Sequence, residues 1–518
     1  MYRVSTKSNL NFEDCSPGLD TLPPEITPPE ISTVRLVGIE EILGLEALDI
    51  AIETAEQTQT PCYLVGGVLR DALLHRPVKD IDLLVLGSGP DFAEAWAANL
   101  PGRPKVHAFK NFGTAMVHHS GLQFEVVGAR KESYDRDSRK PVVSTGTLED
   151  DLARRDFSIN ALAFELYPQY GRWIDNYNGI RDLEARRLVT PLEPTLTFSD
   201  DPLRMLRAAR FAAQLGFELD PETLQAMGRE AERIRIVSME RITDEFNKIL
   251  LSQRPAKGLG LLFDAGILAL IFPELTRMQG VKVINGQGHK DNFYHTLQVV
   301  ENLVLRSEDL WLRWAALLHD IAKPQTQKFD PEHGWTFHGH EELGARMVPR
   351  IFRHFKLPLD HTMQKVQNLV RLHLRPIALT KNKVSDSAMR RLLFEVGEDI
   401  DDLMELCRAD ITSKNEAKVQ RYLRNFEDLD QRLKAVSEAD RMRLWQPPLG
   451  GAEIMACFGL EPGRQVGVIK NRIRQAILDG EIENNQEQAY DLMLRIGQEI
   501  GLQPRPRPSV ISTEQGLD

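Results

Sequence analysis

The chain has 518 residues, 64 basic against 75 acidic side chains, and a net charge of −11. That balance argues against a protein that coats nucleic acid nonspecifically, which needs a basic excess, while leaving room for an RNA enzyme with a local basic groove. A hydrophobic content of 42% supports more than one core, the length suits about three domains, and no apolar run approaches the roughly 18 residues of a membrane span.

Residues 1–32, with "SPGLDTLPPEITPPE", are rich in Pro and acidic residues and read as a mobile tail without a signal-peptide pattern. A cytoplasmic location is the resulting expectation. Cys15, Cys62, Cys407 and Cys457 are scattered and form no CxxC, which argues against disulfides and a zinc ribbon. From about 35 to 165, short apolar runs alternate with helical patterns. "CYLVGG", "DIDLLVL", "TAMVHH" and "LQFEVVGA" read as strands, and the segment after Gly67 and residues 91–99 as helices. From about 180 onward helical spacing dominates, as in "DPLRMLRAARFAAQLGF", "HTLQVVENLVL" and "LWLRWAALLHDIA". Turn residues mark joints near 191–200, 284–292 and 445–451, and the closing "QPRPRPSVISTEQGLD" reads as a second mobile tail.

The stretch "YLVGGVLRDALLHRPVKDIDLLV" (63–85) carries the first chemistry. On a strand, Asp80 and Asp82 project from one face while Ile81 points into the core. Two neighbouring carboxylates repel unless a cation lies between them, and their oxygens suit hard divalent ions, Mg²⁺ above all. One ion can hold a triphosphate while a second activates an attacking hydroxyl. Gly66 and Gly67 let backbone N–H groups approach phosphate at a helix start, and Arg70 adds a cation one turn on. Glu125, on another strand, is a candidate third carboxylate. Taken singly, a tight turn and an exposed acidic strand end explain these residues as well; their combination favours phosphate chemistry.

With four motifs in order, the sequence resembles the class II tRNA nucleotidyltransferase and bacterial poly(A) polymerase family. These are "GGVLRDALLHRPVKDIDLLV", "RRDFSINALAF" (154–164), "DPLRMLRAARFAAQLGF" (201–217) and "ERITDEFNKIL" (240–250). The resemblance implies an α+β fold, in which a DNA polymerase β-like palm with a small mixed sheet precedes mostly helical neck and body regions. It implies that Asp80 and Asp82 bind Mg²⁺, and that Gly66, Gly67, Arg70 and Asp71 line the triphosphate side. Arg154, Arg155 and Asp156 would meet the nucleotide's phosphates and ribose, and Arg207 and Arg210 join the nucleotide-binding set.

Asp201 and Arg204 match the pair that reads the incoming base. Three residues apart on a helix they share a face, one accepting and one donating hydrogen bonds. They therefore suit cytosine and adenine, which present an amino donor beside a ring acceptor, and not uracil or guanine. A capping aspartate with a helix salt bridge is the plain structural alternative. Where the family often has Glu before that Asp, this chain has Asp200. Residues 128–143 fall where the family has a flexible loop that helps switch from CTP to ATP.

A second constellation resembles the metal site of HD domains: His295, His319-Asp320 and Asp410. Its imidazoles favour Mn²⁺, Ni²⁺, Fe²⁺ or Co²⁺ over Mg²⁺, and the bound ion would supply hydroxide for attack on a phosphate ester. His338, His340 and His373 are candidates for a second ion or for phosphate. Lys470, Arg472 and Arg474 in the last block could meet RNA phosphate, although a solvated basic face is the better reading of any one of them.

The expected layout is a tail (1–32), palm (33–170), helical neck and RNA- or nucleotide-binding domain (171–283), all-α HD domain (284–440), helical tail domain (441–502) and mobile end (503–518). The expected activity is template-independent addition of C, C and A to tRNA 3′ ends from CTP and ATP, with HD phosphohydrolysis beside it. The expected partners are tRNA, CTP and ATP, with neither DNA nor membrane, and the oligomeric state stays open. Poly(A) polymerase, addition of CC or A alone, an HD phosphohydrolase whose palm only binds RNA, and a noncatalytic RNA-binding protein are the alternatives.

Overall fold

A computed structural model describes residues 42, 44–78, 80–109, 113–133, 142–284, 286–380, 385–413, 415–440 and 448–505. The N-terminal tail with Cys15, most of the C-terminal one, and residues 134–141 of the 128–143 loop lie outside the described residues. The chain folds as two compact units. The first is Met1–Val304 with Glu308–Arg313 and Ile351–Pro358; the second is Leu305–Ser307, Trp314–Arg350 and Leu359–Asp518.

The first unit opens with helix α1 (Glu46–Thr58), strand β1 (Cys62–Val65), α2 (Gly67–Leu73), β2 (Asp80–Val85) and α3 (Gly89–Asn99). β3 (Val106–Phe109), β4 (Thr114–His119) and β5 (Leu122–Gly128) follow, then α4 (Leu148–Ala153), β6 (Ala163–Tyr167) and β7 (Trp173–Ile174). The seven strands form one sheet in the order β3-β4-β5-β2-β1-β6-β7. β2 and β5 are parallel and the other neighbours antiparallel, so the sheet is mixed as expected.

All four residues of β1 are buried, as a central strand covered on both faces requires. Alternation along β2 splits its side chains. Ile81 and Leu83 are buried, while Asp80 and Asp82 open onto the other face at the strand's start. On the covered side Trp96 of α3 meets Phe124 edge-on at 5.0 Å and donates its indole N–H to Ala47 O. That aromatic anchor holds the strand carrying Glu125 against the helix layer.

β3 and β7 were not evident from the sequence. β3 is four residues at a sheet edge with alternate positions exposed, and β7 is only two residues long, so neither has an apolar run to announce it. The stretch near 191–200 is more than a joint. Pro194 opens helix α5 (Pro194–Asp200), capped when the Glu193 side chain accepts the Leu196 N–H. Helix α6 (Leu203–Leu215) then buries Leu203, Met205, Leu206, Ala209 and Ala212, and stops where Gly216 takes φ +71°. Helix α7 (Met239–Leu250) buries Ile242, Phe246 and Ile249 at helical spacing. α8 (Asn292–Asn302), which carries His295, also belongs to the first unit.

Among the described residues the second unit is helical apart from a hairpin of Lys328–Asp330 with Gly334–Thr336. His319 and Asp320 follow α9 (Leu310–Leu318), His340 opens α10 (His340–His354), His373 follows α11 (His361–Leu372) and Asp410 follows α12 (Ile400–Ala409). Its C-terminal part packs α13 (Gly451–Phe458), α14 (Arg464–Leu478) and α15 (Gln486–Glu499) around Ile454, Ile469, Ile473 and Met493. Among the described residues no helix is long and apolar enough to cross a membrane.

Candidate active site and metal cluster

In the first unit a cavity of about 910 Å³ opens where β2, α2 and α6 converge. Its acidic wall follows from strand register. Asp82 pairs with Glu125 across the parallel β2–β5 ladder, which sets the two side chains on the same face beside Asp80. Burial, reinforced by the charges of Glu125, Asp80 and Asp151 and opposed by Arg155, pushes the Asp82 carboxyl up to about 6. A divalent cation fits this donor set, because it would neutralise repelling oxygens and return Asp82 to the carboxylate form.

Gly66 turns the chain from β1 into α2 with φ +81°. A Cβ there would lie 2.6 Å from Arg155 Nη1 and 3.1 Å from Asp82 Oδ2, so the backbone conformation requires glycine and any side chain would displace the Arg155 guanidinium. At Gly67 the same atom would approach only the tip of Arg70, at 3.5 Å.

The opposite wall is cationic. Arg70 donates to both oxygens of Asp71, at 3.0 and 2.7 Å, and to Asn160 Oδ1 at 2.7 Å. Asp151, fully buried, accepts from both Arg154 Nε at 3.0 Å and Arg155 Nη2 at 3.1 Å. Asp156 accepts from the Phe157 N–H, Asn160 Nδ2 and Arg207 Nε, at 2.9, 2.9 and 2.7 Å. Burial alone would raise the Asp156 carboxyl, but Arg207, Asn160 and Arg204 hold it well below the usual range. Arg210 pairs with Glu245 at 2.9 Å; burial and the neighbouring Arg207 charge draw its guanidinium down to about 10.

Asp201, one residue before the Pro202 N-cap, accepts the Leu203 N–H at 3.2 Å, and its other oxygen faces Arg241 at 3.7 Å. Arg204 is buried and donates to the carbonyls of Thr197 and Arg154. Both line the cavity, and the backbone contacts fix the guanidinium in place.

Several residues around the cavity had no role in the sequence reading. Asn160, on its lining, and the buried Asp151 behind it hold the arginines, and Phe211 stacks against three of them, with Arg210, Arg70 and Arg207 at 4.4, 5.0 and 5.4 Å from its ring centre. Arg241 and Lys248 also line the cavity, and Glu245 stands between them in sequence on α7. Their spacing of four and three residues, on one helix face, was a readable signal. Eight cationic side chains line the cavity, which gives an acidic chain the local basic groove its composition allowed.

The second unit holds a cluster of its own. Asp320 Oδ2 lies 3.2 Å from His319 Nε2, and Asp320 Oδ1 lies 3.3 Å from His340 Nε2 and 4.0 Å from His373 Nε2. His319 Nε2 is 3.7 Å from Asp410 Oδ1. All but Asp410 are more than nine-tenths buried. Without metal, burial is outweighed by Asp320 and Asp410, which push His319 up to about 10, whereas burial and the His319 charge draw His373 down to about 4. Three imidazoles and two carboxylates converging in this way form a donor set that suits a divalent cation. His338 is exposed in a turn outside this cluster. His295 is buried on α8 in the first unit, its Nδ1 3.0 Å from Lys290 Nζ. Of the basic residues on α14, Arg472 pairs with Glu499 at 2.5 Å and Arg474 stacks 5.5 Å from Phe394.

Comparison with known proteins gives this geometry its context. Residues 62–189 match the Poly A polymerase head domain, 216–279 the "Probable RNA and SrmB- binding site of polymerase A", and 292–443 the HD domain. An A-adding tRNA nucleotidyltransferase of Deinococcus radiodurans is 35% identical over 349 residues, 66% of this chain and 77% of that protein. A CC-adding tRNA nucleotidyltransferase of Thermus thermophilus is 31% identical over 462 residues, 85% of this chain and 95% of that one. The chain belongs to the tRNA nucleotidyltransferase and poly(A) polymerase family. It is a nucleotidyltransferase with an HD domain. Among solved structures, the Bacillus stearothermophilus CCA-adding enzyme in complex with CTP is 25% identical with a TM-score of 0.59, over 88% of this chain and 98% of that one. The Thermotoga maritima CCA-adding enzyme complexed with tRNA, 20% identical with a TM-score of 0.54 over 89% and 96%, shares the fold of this nucleotidyltransferase.

Proposed function

We propose that the protein adds C, C and A in turn to tRNA 3′ ends, taking CTP and ATP as substrates and no template. The observation that carries this reading is the pairing of a three-carboxylate strand face with an arginine-lined cavity that also contains Asp201 and Arg204. Asp80 and Asp82 would hold Mg²⁺, with Glu125 as a third carboxylate; the bound ion supplies the Lewis-acid charge that makes the RNA 3′-hydroxyl a nucleophile toward the α-phosphate. The chain's own residues do the rest. The Gly66–Gly67 turn and Arg70, oriented by Asp71, receive the triphosphate; Arg154 and Arg155, held by Asp151, face its phosphates and ribose. Asp201 accepts the exocyclic amino group of cytosine or adenine, and Arg204 donates to the adjacent ring nitrogen. Uracil and guanine invert that pattern and would leave buried donors and acceptors opposed, which is costly. Such substrates accord with a cytoplasmic place.

In the second unit, His319, Asp320 and Asp410 would hold a divalent transition metal such as Mn²⁺, Ni²⁺, Fe²⁺ or Co²⁺ and hydrolyse a phosphate ester. The similar proteins named for adding A alone and CC alone make partial addition the second reading. The test is nucleotide addition with Mg²⁺ on tRNA transcripts ending before CCA, after C and after CC, each offered CTP, ATP, UTP or GTP. The expected product gains C, C and A and stops. Addition of only CC or only A selects the second reading, long A tails on unrelated RNA indicate a poly(A) polymerase, and no addition by folded protein contradicts transfer altogether.

A further inference from the structure

The strand register that sets the carboxylates side by side runs on past them. Val65, Asp82, Glu125, Met116 and His107 stand abreast on β1, β2, β5, β4 and β3, and the next row sets Asp80, Gln123 and His118 in line. Alternation puts Met116, His118, His107 and Phe109 on the face that carries the carboxylates. The other face is the covered one: Ala115, Val117, Phe124 and Val126 are wholly buried, and α3 packs against β3, β4 and β5. On the carboxylate face His107, Phe109 and His118 are exposed, and Met116 and Gln123 are half-buried. An aromatic ring 49% exposed, with a thioether and two imidazoles beside it, makes a flat, polarizable surface on which any base stacks.

Where this face lies relative to the phosphate-binding wall decides what it takes. Gly66 follows Val65 on the far side of Asp82 from Glu125, and the guanidinium groups of Arg155 and Arg70 gather around that turn. In an in-line displacement the entering and leaving oxygens stand on opposite sides of the phosphorus. With the triphosphate drawn to the arginines, an RNA 3′-hydroxyl enters from the Glu125 side, and the strand behind it runs out over β5, β4 and β3. The cavity lining already reaches Gln123, Glu125 and Val127 on β5, so this face continues the candidate active site. Three strand spacings carry it about 14 Å from Asp82, and the exposed Lys105, two residues before His107, offers a cation to the RNA backbone near the outer strand.

We propose that this face, with Met116 and His118 on β4 and His107 and Phe109 on β3, is a stacking platform for the unpaired nucleotides that precede the reacting 3′ end of the RNA. It rests on the reading of the first unit as an enzyme that extends RNA 3′ ends, and assigns the incoming strand to residues that hold neither metal nor triphosphate. Stacking is indifferent to sequence, which suits a strand whose last bases change with every addition.

The test uses the full chain and tRNA transcripts ending after C and after CC, each with 4-thiouridine as the unpaired nucleotide before the first C. Irradiation and mass spectrometry of the digested adducts should place the cross-links on β3 or β4. In steady-state addition of the next nucleotide, His107→Ala and Phe109→Ala, checked for folding by circular dichroism, should each raise KM for the transcript about tenfold, the effect of one lost stacking contact. Neither should change kcat or KM for the nucleotide, and His119→Ala, on the covered-face side of β4, should change nothing. Cross-links on other elements, or unchanged KM in both variants, overturn the platform while addition itself stands. Self-association of the parent that is lost in these variants with KM unchanged, read by light scattering, assigns the face to a second copy of the chain and overturns it equally. Parent protein that extends neither transcript contradicts the transfer reading on which the platform rests.

Discussion

The two units solve the problem of holding metal in opposite ways. In the first, oxygen ligands stand at the start of a strand; Asp80 is exposed, and seven arginines line the cavity around it. In the second, imidazoles predominate, nearly all of them buried, and each is fixed by its own backbone carbonyl. An open, cation-lined cavity leaves room for a large anion that brings oxygen ligands of its own, whereas the buried imidazole cluster draws most of its donors from the chain itself. The contrast underlies the proposed division of labour: hard oxygen donors suit Mg²⁺ and a triphosphate, borderline nitrogen donors a transition metal.

The sharpest way to break this comparison within the cavity is steric. In Gly66→Ala the added methyl would collide with Arg155 Nη1 at 2.6 Å and crowd Asp82 at 3.1 Å, on a backbone with φ +81°. Displacing these groups by about an ångström should slow nucleotide addition about 100-fold. Gly67→Ala would meet only Arg70, with Nη2 at 3.5 Å in ordinary van der Waals contact, and should change the rate by less than about threefold. Steady-state rates of C addition for the two variants decide it; equal effects would mean that the turn is not packed against Arg155.

A smaller effect concerns stability. The Asp82 carboxyl is pushed up to about 6 by burial and by its acidic neighbours, against about 3.9 in an unfolded chain. Between those values the unfolded chain binds fewer protons, so metal-free protein loses stability as pH rises through this window, and the full cost remains above it. In chelator, Asp82→Asn should stabilise the first unit by about 1–3 kcal/mol at pH 7.5 and have little effect at pH 4. Unfolding midpoints of the variant and parent at the two pH values check this; a difference independent of pH would contradict it.

How far these sites were legible depends on how local their geometry is. Asp80 and Asp82 could be placed because strand alternation fixes residues two apart on one face, and the Asp82–Glu125 register bears out that face. Four of the palm strands and the long helices were evident for the same reason, since their apolar periodicity is strong. Asp151, Asn160 and Phe211 were not, because holding or stacking on an arginine depends on contacts between separate elements. Among His338, His340 and His373, position alone gave no order. The structure turns His338 to solvent and buries His340 because the helix begins at His340. The helix within 191–200 was not legible, because a proline that punctuates a loop also suits the first turn of a helix.

The central claim is that the two ligand sets perform separate chemistry in one chain. It is tested most directly by assaying Asp82→Ala and Asp320→Asn side by side, for C and A addition to tRNA with Mg²⁺ and for Mn²⁺-dependent phosphate-ester hydrolysis. Loss of the first unit's carboxylate should reduce addition by roughly a thousandfold and spare hydrolysis, while Asp320→Asn should do the reverse. Loss of both activities in either folded variant would contradict the account.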